Sequence, residues 1–193
     1  MVMVVAAPVV ILTVGFIYVD HHFDKQSALY APRTTVTSTA PWSPFPSGYE
    51  IKVEKITRLY LRGATSQPSA ADTAELFDEV LHDPDFRIRV RAMAVLPYVG
   101  DREKAIDVLI TSLRDQDPKT SGNGNVPLYA TNYLAHMNAT RAIPDIENWI
   151  AYMKKNQPYG QRVYAMMMGK SSADLARLKA ATTQQSQLRA GAS

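Results

Sequence analysis

Apolar positions fall into three regimes along the chain. From Met1 to Val19 no side chain is charged, and Val, Ile, Leu, Met and Phe dominate. At about 1.5 Å per residue a helix of that length spans roughly 28 Å, close to the hydrocarbon thickness of a bilayer. The stretch lacks the polar face of an amphipathic helix, and it lacks the basic start and small-x-small cleavage site of a secretory signal. It is therefore expected to be an uncleaved transmembrane anchor, against the competing readings of a buried core helix or a cleaved signal. From Ser27 to Gly48, Pro32, Pro41, Pro44 and Pro46 stand among Thr and Ser without any apolar period, which predicts an extended connector.

Beyond Tyr49 the period becomes helical. Val53, Ile56 and Tyr60 recur at helical spacing until Gly63. Ser69 is placed to cap a second helix carrying Leu76, Phe77, Val80 and Leu81 on one face, broken by Asp83-Pro84-Asp85. A third is expected from Phe86, with Ile88, Ala92, Val95 and Val99 inward, until Gly100. A fourth runs near Glu103 to Arg114, with Ile106, Leu109, Ile110 and Leu113 at i, i+3, i+4 and i+7. Short turns between such helices make antiparallel hairpins. Arg87-Ile88-Arg89-Val90-Arg91 alternates like a strand, but it continues without a turn signal into good helix formers and is read as helix.

The unit then repeats. Ala92, Leu96 and Val99-Gly100 are echoed by Ala130, Leu134 and Met137-Asn138 at an offset of 38 residues, and Ala105-Ile106, Leu109 and Leu113 by Ala142-Ile143, Ile146 and Ile150 at 37. Periods of this length belong to helical-hairpin solenoids. The segment from Ala70 to Met153 resembles the HEAT-repeat family. Asp83-Pro84-Asp85, Val90-Arg91, Ala94, Leu96, Gly100-Asp101, Ala105-Ile106 and Leu109 stand where that family has its inter-repeat turn, Val-Arg pair, small core residues and second-helix core. The resemblance implies a contact of Asp85 with Arg91. It also implies that the second copy departs from the pattern, because Tyr129 replaces the arginine and the turn is stretched from Asp117 to Asn125. The expected organisation is all-α: a transmembrane anchor (1–19), an extended Pro/Ser/Thr-rich linker (20–48), a HEAT-like helical domain (49–169) and a basic, partly helical tail (170–193).

Composition narrows the chemistry. The chain has no cysteine among its 193 residues, which excludes disulfides, thiolate metal sites and a cysteine nucleophile. A net charge of +3 is unevenly spread. Charged residues from Asp72 to Asp85 are all acidic, whereas beyond Ala151 Asp174 is the one acid among seven Lys and Arg. Of four histidines, His21 and His22 follow the anchor as polar caps or, less simply, a metal site. His82 and His136 sit at expected helix ends, where a cation suits the terminal carbonyls. No glycine-rich phosphate loop, HExxH or Gly-x-Ser-x-Gly is present, and Gly122-Asn123-Gly124-Asn125 reads as a flexible loop.

These features predict a non-enzymatic, membrane-anchored scaffold without cofactor, metal, nucleic acid or small-molecule substrate. It would contact lipid through residues 1–19 and bind protein subunits of a larger membrane complex, of photosynthetic or respiratory type. The body is expected on the periplasmic side of a bacterial inner membrane. The residues expected to meet a partner are Trp42 and Phe45 in the linker, Arg87 and Arg89 in the third helix, and Met166 and Met167, which serve equally as the core side of the last helix. A stand-alone tether for a soluble protein is the alternative. At the repeat level alone, a HEAT-like chromophore lyase is the enzymatic one.

Overall fold

The computed structural model describes residues 48–63 and 65–190. The expected anchor and nearly all of the linker, with Trp42, Phe45, His21 and His22, lie outside them. Among the described residues the chain is all-α, with seven α-helices and no strand. No helix among them is long and apolar enough to cross a membrane. The helices are α1 (Tyr49–Gly63), α2 (Ala70–His82), α3 (Phe86–Met93), α4 (Arg102–Ser112), α5 (Asn125–His136), α6 (Ile143–Asn156) and α7 (Gln161–Ala190).

Local chemistry sets the ends. Ser69 caps α2 by accepting from the Asp72 N–H at 3.1 Å and returning its own hydroxyl to the Asp72 carboxylate at 2.7 Å. Asp83 ends α2: its N–H donates to the Glu79 carbonyl, and its carboxylate accepts from the Asp85 N–H at 2.8 Å, closing the Asp-Pro-Asp turn. Asp85 then caps α3 through the Arg87 N–H, and Asp101 caps α4 through the Lys104 N–H. The third helix is shorter than its apolar spacing predicts. It stops at Met93, and Leu96–Tyr98 follow as a 3-10 turn. Pro97 accounts for this, since its ring would clash with the carbonyl four residues back and it disfavours the α conformation at Leu96.

The helices stack in two layers. In one, α1 packs on α3, α3 on α5 and α5 on α7; in the other α2 packs on α4. The layers interlock because α2 packs on α3, α4 on α5 and α6 on α7. The core between them is continuous: Ile56, Leu76, Val80, Ile88, Met93, Leu96, Ile106, Leu109, Leu134, Ile146 and Met167 are all 1% exposed or less. At about 25 cal/mol per Å² of buried apolar surface, these side chains supply the main drive for folding. Loops gather at two edges of the stack. At one, Gly63 and Gly100 approach the side chains of Tyr98 and Gln67. At the other, the turn at Asp83-Pro84-Asp85 meets the loop after α4.

Helix α7 is longer than the sequence pattern suggests. The boundary expected between residues 169 and 170 falls inside one unbroken helix. Met167, Ser171 and Leu178 lie on one stripe of it, each at most 1% exposed, and Lys179 reaches Glu147 of α6 at 2.6 Å. Part of the expected tail is thus built into the body.

Candidate functional site: a polar cleft between two inter-helix turns

Arg89 organises one edge of the stack. It sits on α3 and is only 6% exposed. Its Nε donates to the Val80 carbonyl at 2.8 Å, in the last turn of α2. Its Nη1 donates to the Asp115 carboxylate and, at 3.3 Å, to the Thr120 carbonyl in the loop after α4. Asp115 also accepts from the Thr120 hydroxyl at 2.6 Å. One guanidinium therefore ties α2, α3 and the α4–α5 loop together. A planar fork of donors suits that task better than an ammonium does.

The loop that Arg89 holds is packed, which corrects the expectation of a flexible segment. Ser121 is fully buried; its hydroxyl donates to the Asp117 carbonyl at 2.6 Å and accepts from the Gly124 N–H at 3.0 Å. Asn125 Nδ2 donates to the Gly122 carbonyl at 2.7 Å. Gly122, Asn123 and Gly124 all have positive φ, at 58°, 56° and 82°, a run that glycine and asparagine accommodate best. A Cβ on Gly122 would overlap the Phe86 ring, and one on Gly124 would stand 2.6 Å from the Tyr159 ring. The glycines let two aromatic side chains close over the turn.

Between the two turns lies a cleft of 440 Å³. One wall is the end of α2 with its turn: Leu81, His82, Asp83 and Pro84. The rest of the lining is Thr111 and Ser112 at the end of α4, Arg114, Asp115 and Thr120 after it, and Arg89 of α3. Both lining acids are compensated. Asp83, with its side chain 3% exposed, is bound by Lys52 of α1, and Asp115 is held by Arg89 and Thr120. Arg114 is loosely engaged, with its side chain 74% exposed and Asp145 at 3.9 Å. His82, also exposed, has Nδ1 2.9 Å from Asp78.

The residues expected from sequence to meet a partner are placed differently. Arg87 packs over the Tyr49 ring at 4.7 Å and donates from Nε to both carboxylate oxygens of Asp85, at 2.9 and 3.1 Å. Arg87 and Arg89 are thus internal ties, not an exposed grip. The contact implied for Asp85 with Arg91 is replaced by Asp85 with Arg87, whose fork and backbone N–H both reach the same carboxylate. Arg91 is 4% exposed, and burial lowers its pKa, partly opposed by Tyr129. Met167 is core at 1% exposure and Met166 half-buried, so Met167 takes the core reading. Thr111, Arg114, Asp115 and Thr120 carry no sequence signal as a site; only the hairpin period, which brings alternate turns to one edge, could have grouped them.

Among known proteins the chain matches no family model, no curated protein and no solved structure.

Proposed function

We propose that this chain is a membrane-anchored scaffold that binds other proteins, acting as an accessory or assembly subunit of a larger membrane complex. The observation that carries the reading is the edge cleft. A stack of helices locks two of its inter-helix turns together through Arg89 and leaves a preformed, polar recess with an exposed cation beside it. Rigid edges of stacked helices suit the binding of extended partners. The all-helical, two-layered packing is compatible with a helical-hairpin solenoid. The uncharged stretch from Met1 to Val19 supports the anchor, and the charge-poor Pro/Ser/Thr linker supports a body carried outside the cytoplasm. Photosynthetic and respiratory assemblies are the proposed hosts.

The test is a pull-down from native membranes in mild detergent through a tag placed after Ser193, with the co-purifying chains identified by mass spectrometry. Stoichiometric recovery of several membrane proteins is the expected result. Recovery of the tagged chain alone would overturn the accessory-subunit reading and leave a stand-alone tether.

A further inference from the structure

The cleft also specifies what it takes. We infer that it docks an extended acidic segment of a partner protein, with Arg89 and Arg114 receiving its carboxylates; this rests on the scaffold reading above.

The first ground is an incomplete guanidinium. A guanidinium carries five N–H donors, and in Arg89 the bonds to Val80, Asp115 and Thr120 use Nε and Nη1. Nη2 makes no hydrogen bond among the described residues and is not sealed from solvent. Arg89 lines the cleft, so a side chain more than nine-tenths buried directs two donors towards it. Either N–H can give an incoming carboxylate oxygen a charge-assisted hydrogen bond.

The second ground is charge. The lining carries Arg89 and Arg114 against Asp83 and Asp115, and both acids are already matched, Asp83 by Lys52 from outside the cleft and Asp115 by Arg89. Arg114 is the most exposed charge of the lining and only loosely matched, with Asp145 at 3.9 Å, so it is the cation an incoming carboxylate meets first. Glu75 of α2 is paired with Lys55, and neither it nor Glu79 lines the recess. Arg89 stays paired with Asp115, so an incoming carboxylate would share it, as bridging guanidiniums do.

The third ground is shape. A recess of 440 Å³ is within the range of about 300–1,000 Å³ that small groups occupy in proteins. Its lining combines apolar surface from Leu81 and Pro84 with polar side chains, among them Thr111 and Thr120. A mixed lining of that size has room for a stretch of peptide backbone with an acidic side chain turned in.

The experiment uses the full-length protein in detergent micelles and a fluorescein-labelled peptide amide of alternating glutamate and serine, read by anisotropy. Its glutamine counterpart and inorganic phosphate are the comparison ligands. The glutamate peptide is expected to bind, the glutamine peptide to fail, and affinity to fall about tenfold or more in Arg114→Gln and at high salt. Thr111→Val should weaken it less, and Arg58→Gln, on α1 outside the cleft, not at all. Equal binding of the glutamine peptide, or no change in Arg114→Gln, overturns the inference. Displacement of the peptide by phosphate as effectively as by unlabelled peptide overturns the peptide assignment and leaves a simple oxyanion site. If the glutamate peptide fails to bind while membrane partners still co-purify, the cleft assignment falls and the scaffold reading stands. Peptide binding without co-purifying partners gives the reverse.

Discussion

Glu79 should make the protein less stable as pH rises from about 4.5 towards 7, and replacing it should remove that loss. It lies on α2 at 7% exposure, with Glu75 and Asp83 on its own helix side and Lys52 and Lys55 reaching across from α1. Burial is the largest cause of its raised pKa, pushed up to about 7, with Glu75 and Asp83 adding to the shift and the two lysines opposing it. The lysines are already committed, Lys52 to Asp83 and Lys55 to Glu75 and Asp72. Other charged groups on the elements packed against α2 have partners too: Arg87 with Asp85, Arg89 with Asp115, and Lys104 over the Phe77 ring.

The sign follows from proton binding. The folded pKa is above the ordinary value of 4.5, so between that value and about 7 the folded state holds a proton that the unfolded state has released. Stability falls with pH across this window and is flat beyond it. A shift of about 2.5 units at about 1.4 kcal/mol per unit gives a loss of about 3 kcal/mol between pH 4.5 and pH 8. Glu79→Gln keeps the shape and cannot ionise. It should match the parent near pH 5 and exceed it by about 2–3 kcal/mol at pH 8, or roughly 4–12 °C in Tm for a chain of this size. Far-UV circular dichroism of urea unfolding, run on both proteins from pH 5 to pH 8, reads the difference. Subtracting one from the other cancels the titration of the histidines. A difference that stays constant across the range would refute the reasoning, because the ionised carboxylate would then be as well solvated in the folded protein as outside it.

Three other perturbations test the framework by chemical unfolding. Arg89→Met removes the tie among α2, α3 and the following loop while leaving Asp115 half-buried without its cation, and should cost about 3–5 kcal/mol; a cost below 1 kcal/mol would mean the loop is held by its own turn. Gly122→Ala combines a left-handed backbone with overlap on Phe86 and should destabilise by about 2–4 kcal/mol, whereas Gly160→Ala, with nothing near its Cβ, should stay within about 0.5 kcal/mol. Leu178→Ala should cost about 2–4 kcal/mol, since Leu178 is fully buried, and deleting residues 184–193 should cost much less; equal effects would mean that α7 is not part of the core.

How far the fold could be read from sequence depended on whether one residue's neighbours sufficed to explain it. Ser69, Asp83 and Asp101 act within three or four positions of themselves, and the helices they bound were readable. Pro97 was equally local, and its effect on the third helix follows from steric rules that the apolar spacing of Val95 and Val99 obscured. The failures are all of longer reach. Gly122-Asn123-Gly124-Asn125 has the composition of a loose loop, and its order comes from Phe86 and Tyr159, each more than thirty residues away in sequence. The buried stripe of α7 consists of Met167, Ser171 and Leu178, too sparse and too mixed to raise an amphipathic signal. Arg89 presents the sharpest case. An arginine in a run of arginines alternating with apolar residues looks like a solvated face, and its burial depends on two carbonyls and a carboxylate delivered by other segments. Those partners occupy only part of a five-donor group, so the same contacts that withdraw Arg89 from the surface leave it with unused donors facing the cleft. The sequence pointed to this residue as a partner contact for its charge; the structure keeps the residue and changes the reason, from an exposed cation to a fixed one whose remaining hydrogen bonds a ligand can complete.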